Sequence, residues 1–211
     1  MQSKSRPSGQ KSRSFIETAR RAQIIASAIE VIAGHGFAKA SLARIAEHAG
    51  ISKGVISYHF AGKDKLMEEV VTQVYSEIVE AVSPMMMAQK SATALLRTQI
   101  LGVAQHMRGH RTQLKALGEI FIHLRRPDGT PRYGITTSEE LFQVLEHIYR
   151  LGQRNGEFRP FDIRVMAITH QAALDNMFAY WSAFPEHDLE AHARELADIF
   201  EHATRAEETP S

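Results

Sequence analysis

The chain has 211 residues, 44% hydrophobic and 23% charged, which is enough length and apolar content to bury a core and excludes a disordered protein. It has no apolar run long enough to span a bilayer and no N-terminal apolar segment of a secretory kind, so a cytoplasmic location and no membrane partner are expected. The absence of cysteine removes disulfides and thiolate metal sites. The net charge of +1 hides an asymmetry. Up to Lys65 there are 11 Lys/Arg against 4 Asp/Glu, and beyond it 14 against 20, so a basic third precedes an acidic remainder. Such a split points to nucleic acid at one end, or else to a chance excess of surface cations.

In chain order, residues 1–13 carry four basic residues, serines, a proline and a glycine, and no acid. They predict a disordered arm, available for phosphate or minor-groove contacts or merely solvated. Ile25, Ala28, Ile29 and Ile32 recur at helical spacing and predict a first amphipathic helix that stops near Gly34-His35-Gly36. Phe37 and Leu42 follow as apolar plugs.

The stretch from Leu42 to Leu66 is the most informative. Ser41 is a good N-cap for a helix over 42–49, whose inward side is Leu42, Ile45, Ala46 and Ala49. Gly50 gives the freedom for a sharp turn. Ser52 caps a second helix, and Ile51 can pack on Ile56 as a hydrophobic staple. On that helix Val55, Ile56 and Phe60 face inward, while Lys53, Gly54, Ser57 and Tyr58 face out. This is the form of a helix-turn-helix, which lays its second helix in the major groove of DNA. Lysine reaches a guanine edge or a phosphate, glycine permits close approach, and hydroxyls bond base or phosphate. His59 and Lys63 follow at a position suited to the phosphate backbone, as do Ser41, Arg44 and the amides opening the first of the two helices.

Beyond the turn, a long helix is predicted over 62–83, with Pro84 just past its end. Five further helices are predicted near 91–109, 112–126, 138–153, 162–184 and 186–205, with no convincing strand. Thr137-Ser138-Glu139-Glu140 fits a capping box, and 125–131 and 155–160 are loops. The fold class is all-α.

The segment from about Arg20 to Leu66 resembles the DNA-binding domain of TetR-like transcriptional regulators. The resemblance rests on Gly36-Phe37, Ser41, Ile45-Ala46, Ala49-Gly50-Ile51-Ser52, Gly54, His59-Phe60, Lys63 and Leu66, about a fifth of the chain. One departure is visible. Many members carry a tyrosine two residues before the His-Phe pair, where this chain has Ser57, with Tyr58 directly after it. The resemblance implies a three-helix domain over 14–65, joined by a long helix to a larger ligand-binding and dimerisation domain over 66–206. It implies a ligand-responsive repressor that binds a palindromic DNA operator as a homodimer and answers to a small-molecule effector. The alternative is an effector-independent or architectural DNA-binding protein.

In the acidic remainder, Leu189, His192, Ala193, Leu196, Ala197 and Phe200 form one apolar stripe. Val165, Ile168 and Ala172 lie on one side of the preceding helix, and Met166, Ala173, Met177, Tyr180, Trp181 and Phe184 cover another. Dimer-interface candidates are therefore Val165, Ile168, Ala172, Leu189, Ala193, Leu196, Ala197 and Phe200, with packing inside one chain as the competing reading. Candidates to line a ligand pocket are Met107, Phe121, Phe142, His147, His170, Asn176, Phe178 and Trp181, each of which also suits plain core. Met85-Met86-Met87 suits adaptable lining or a helix junction, and Arg97, Arg108 and Arg132 suit an anionic ligand or a solvated face. His106 and His110 have a chelating spacing but no third ligand in sight, so no metal and no cofactor is expected. No GxSxG, no phosphate-cradling glycine loop and no cysteine nucleophile is present, so no enzyme is expected.

Overall fold

A computed structural model describes residues 8–206, with side chains from residue 15 onward. Among the described residues nine α-helices and one 3₁₀ turn are joined by loops, with no strand beyond two isolated bridges. The helices are α1 (Ser8–His35), α2 (Leu42–His48), α3 (Lys53–His59), α4 (Lys63–Met87), α5 (Ala92–Arg108), α6 (Arg111–His123), α7 (Glu139–Arg154), α8 (Ile163–Ala183) and α9 (Leu189–Thr204). No described helix is long and apolar enough to cross a membrane.

The chain divides into two compact units, Met1–Gln73 and Val74–Ser211. That boundary falls eight residues after the expected one at 65/66. The first turns of α4 bring Leu66, Met67 and Val70, all fully buried, into the first unit. Two other expectations change. Residues 8–13 of the expected disordered arm form the opening turns of α1, because Gln, Lys and Arg cost little to add to an existing helix; residues 1–7 lie outside the described residues. Pro84 stands inside α4, which runs on to Met87. Near a helix end proline forfeits one hydrogen bond, and the exposed Glu80 can leave its carbonyl to water.

The first unit is built on α1. Ile24, Ile25, Ala28, Val31 and Ile32 are buried, together with Ile45 and Ala46 of α2, Ile56 of α3 and Phe60.

In the second unit α5 packs on α9 and α7, and α8 lies against α6, α7 and α9. Its core takes Leu96, Ile100 and Met107 from α5, Leu145, Ile148 and Tyr149 from α7, Leu174, Met177 and Trp181 from α8, and Leu196 and Phe200 from α9. The loop 155–161 stitches this core together. The Glu157 carboxylate accepts from the Ala92 and Thr93 amides at 2.9 and 3.0 Å and so caps α5. The Arg159 amide donates to the Thr204 carbonyl at 2.9 Å, which ties the loop to the end of α9. The Thr137–Glu140 capping box does not form. Ser138 occupies the N-cap of α7 without a side-chain bond, because Ile135–Thr137 coils as a 3₁₀ turn and the Gly134 amide donates to Thr137 Oγ1 at 2.9 Å.

Gly152 of α7 is a packing requirement. A Cβ there would lie 2.1 Å from the Phe158 ring, so no larger residue fits. Gly152→Ala is expected to lower the unfolding free energy by about 3 kcal/mol in chemical denaturation, the upper range for overpacking.

His170 is fully buried and stacks on Phe200, with ring centroids 4.6 Å apart. Its Nδ1 shares a 2.8 Å hydrogen bond with the Tyr149 hydroxyl, and its Nε2 has no partner. Burial pushes its pKa down from 6.5 to about 3. In the unfolded chain it takes a proton near pH 6.5, whereas in the folded chain it does not until about pH 3. Stability contributed by neutral His170 is therefore complete above pH 6.5 and is lost as pH falls towards 3. The loss should approach about 1.4 kcal/mol per pH unit. Urea titrations at several pH values should show this slope, and His170→Phe should flatten it.

Candidate nucleic-acid interface

The helix-turn-helix is assembled by local chemistry. Ser41 Oγ accepts from the Arg44 amide at 3.2 Å and opens α2. Ala49 caps its end, and Gly50 turns the chain at φ +65°, a conformation that disfavours any residue with a Cβ. The Gly50 amide then donates to Glu47 O and the Ile51 amide to Ala46 O, at 3.1 and 3.0 Å, which is a Schellman closure. Ser52 has the extended backbone of an N-cap, but its hydroxyl makes no capping bond. The first turn of α3 closes through its carbonyl, which accepts from the Val55 amide at 3.0 Å. The expected side-chain cap at Ser52 is thus absent.

The faces of α3 separate as the spacing predicts. Ile56 is fully buried and Phe60 nearly so, with Val55 half-buried. Lys53, Gly54, Ser57 and Tyr58 are all exposed, Tyr58 by 71%. Ser41, Arg44 and Ser52 are exposed as well. His59 is half-buried, its ring edge-on to Tyr58 at 5.0 Å. The outward surface thus gathers two cations, two serines, a tyrosine and a glycine, with no acid among them.

Lys63 is held differently from the other cations. Its Nζ donates to the Phe37 carbonyl at 2.6 Å and sits 4.1 Å over the centre of the Phe37 ring. Burial lowers its pKa, partly offset by the neighbouring Asp64 carboxylate. Lys63 fastens the start of α4 to the turn before α2, so its role as a plain phosphate clamp is qualified by this internal commitment.

Two residues that sequence reading passed over hold α3 in place. Arg21 of α1 donates from Nη1 to the His59 carbonyl at 2.7 Å, at the C-terminal end of α3. Its guanidinium lies 4.4 Å over the Phe60 ring, and Nη2 pairs with Glu69 at 3.0 Å. Gln23 donates to the Ala49 carbonyl at 2.9 Å and so supports the turn. The available signal was the position of Arg21, one turn before Ile25 on the same buried stripe.

In the second unit the candidate residues do not converge. Met107, Phe142, His170, Phe178 and Trp181 are buried in close packing, Phe121 is half-buried against Tyr133 at 5.1 Å, and His147 and Asn176 are exposed. A cavity of about 330 Å³ lies instead between α8 and α9, lined by Phe161, Asp162, Val165, Met166, Thr169, Ile199, Phe200 and Ala203, none of them a ligand candidate. The interface candidates also divide. Leu189, Ala193, Leu196, Ala197 and Phe200 are buried within their own chain, because the stripe of α9 packs on α5, whereas Val165, Ile168 and Ala172 remain exposed on α8. Arg97 pairs with Asp198 and Glu201 at 2.6 and 2.8 Å, and Arg108 pairs with Glu190. Neither is thereby held in reserve for an anion. The His106 and His110 rings stack at 4.2 Å, and among the described residues no group of three metal-binding side chains converges.

Lys53→Ala should leave thermal stability unchanged, whereas Lys63→Met should lower it by roughly 4–8 °C for the loss of about 1 kcal/mol. Thermal melts of the two variants without DNA test this difference.

Residues 24–70 match the family model described as bacterial regulatory proteins, tetR family. A segment of 68 residues is 41% identical to the HTH-type transcriptional regulator BetI 2 of Chromohalobacter salexigens, covering 32% of this chain and 33% of that protein. The match thus spans about a third of the length of that curated relative. The fatty acid degradation regulator FadR from Bacillus halodurans superposes with a TM-score of 0.75 at 19% identity, over 86% of this chain and 94% of that one. FadR from Bacillus subtilis, solved in complex with stearoyl-CoA, does so with a TM-score of 0.73 at 19% identity, over 86% and 98%. At these identities the structural likeness extends the fold, and the fold alone, beyond the matched segment. Through its helix-turn-helix domain, the chain belongs to the TetR family of bacterial regulatory proteins.

Proposed function

We propose that the chain is a ligand-responsive, sequence-specific transcriptional repressor that binds a palindromic operator as a homodimer in the cytoplasm. The observation that carries this reading is the outward face of α3, where Lys53, Gly54, Ser57 and Tyr58 stand exposed above the buried Ile56 and Phe60. Short, polar and basic side chains on a rigidly rooted helix are what base-edge reading requires. Ser41, Arg44, Ser52, His59 and Lys63 flank that face and supply backbone contacts, with Lys63 also fixing the domain it acts from. Ser57 and Lys53 are assigned to base edges, and Tyr58 to the sugar-phosphate wall.

A two-fold dimer presents two such helices to half-sites one helical turn, about 34 Å, or a multiple apart. The exposed apolar residues Val165, Ile168 and Ala172 of α8 supply the surface for that dimer. An effector acts in this reading through the second unit, to which α4 is covalently continuous from the first. A 100-fold fall in operator affinity requires the effector to favour one state over the other by about 2.7 kcal/mol. The bound stearoyl-CoA of the Bacillus subtilis FadR supports a small organic effector as the class to screen.

Selection of genomic fragments by the purified protein, followed by footprinting, tests the proposal. A protected palindrome is the expected result, and enrichment of nothing over random DNA rejects sequence reading. On the selected site, Ser57→Ala should alter preference at one position of each half-site. Lys53→Ala should weaken binding and reduce the slope of affinity against salt by about one. Equal losses on specific and random DNA for Ser57→Ala would remove its base-reading role.

A further inference from the structure

The cavity between α8 and α9 sits at one end of an apolar valley. Its walls are Phe161, Val165, Met166, Ile199, Phe200 and Ala203, with Asp162 as the one charged group on its rim. Val165 and Ile199 are 60% and 53% exposed, so the cavity opens to the surface. The other end of the same valley carries the opposite shape. Tyr180 and Phe184, each 46% exposed, stack on one another at 4.6 Å, and His187 lies edge-on to Tyr180 at 4.8 Å. One end of α8 is a hollow and the other is a pair of protruding rings.

This arrangement is self-complementary under a two-fold axis. Val165 and Tyr180 are 15 positions apart in the sequence, about 22 Å along the helix, and lie within 60° of each other around it. An antiparallel α8 from a second copy, related by a dyad at the midpoint, sets its rings over the hollow. The midpoint falls at Ala172 and Ala173, whose small side chains permit close approach of two helices. The volumes agree, since about 150 Å³ of apolar cavity holds one benzene-sized ring. The cavity of about 330 Å³ therefore has room for two. The charges agree as well, because Asp162 on the rim meets the histidine that travels with the rings.

We infer that the hollow is a socket for a second copy of this chain, filled by Tyr180 and Phe184 of the partner subunit, with Asp162 facing His187 of the partner subunit. The inference rests on the homodimer of the proposed function and adds to it a register and a lock. Each subunit supplies one socket and one knob, so the interface closes with two identical contacts around the dyad.

The chain has no native cysteine, which makes cross-linking a direct test. In the double variant V165C/Y180C the two thiols of one chain are about 22 Å apart, beyond the about 7 Å that a disulfide can bridge. Oxidation should therefore give a covalent dimer on non-reducing gels only through contact between copies, and either single variant should give none. In sedimentation, Tyr180→Ala should weaken dimerisation about 30-fold or more, as expected of a buried aromatic anchor. A dimer that neither cross-links in the double variant nor loosens in Tyr180→Ala would overturn the socket while leaving the dimer intact. A monomer at micromolar concentration would overturn both. Binding of anilinonaphthalene sulfonate that Val165→Glu abolishes, with dimerisation unchanged, would assign the hollow to a small apolar ligand and overturn the socket.

Discussion

The recognition helix of this chain cannot hold itself. Seven residues are too few for a stable helix in water, so α3 exists because α1 and its neighbours fix it. Two attachments matter. Ile56 and Phe60 are buried in the core that α1 organises, and Arg21 reaches from α1 to the carbonyl that ends α3. Arg21 also lies on the Phe60 ring and pairs with Glu69 of α4, so one guanidinium joins three helices. A cation at the C-terminal end of a helix also meets the negative pole of its backbone dipole. With the inner face and the last carbonyl secured, the outward side chains keep one orientation, which base reading demands.

The second unit is secured by a comparable device of opposite sign. Glu157 is carried on a loop and spends its carboxylate on the opening amides of α5, where the helix dipole favours negative charge. Hydrogen bonds from the same loop to the end of α9 then join two helices that are far apart in sequence. Phe158, pressed onto Gly152, leaves α7 no freedom to slide. Behind these contacts lies the one polar seam of the core, the Tyr149 hydroxyl against His170, with an unsatisfied Nε2 beyond it. An orphaned buried polar atom costs about 1–3 kcal/mol, so this seam is held at the expense of stability.

Packing decides which apolar stripes are left for partners. The stripes of α8 and α9 look equivalent by residue type. That of α9 is consumed inside the chain by α5, while α8 keeps Val165, Ile168 and Ala172 in the open. The aromatic residues of α8 divide in the same way, with Trp181 buried and Tyr180 left exposed. Adjacent residues on a helix point about 100° apart, and only the position of the neighbouring helices determines which of them is covered.

Sequence alone was enough for whatever depends on near neighbours along the chain. The helical periods, the Ser41 cap, the left-handed turn at Gly50 and the inward and outward faces of α3 all follow from interactions within a few residues. The capping box at 137–140 and the stop at Pro84 are local signals that yielded to their surroundings. Tertiary structure decided what depends on distant partners: Arg21 meeting His59 38 residues away, Lys63 turned onto Phe37, and Arg97 and Arg108 committed to carboxylates of α9. It also decided which of eight plausible lining residues became core and where a hollow opened. A side chain's type fixes which contacts it is able to make, and the fold fixes which partner arrives.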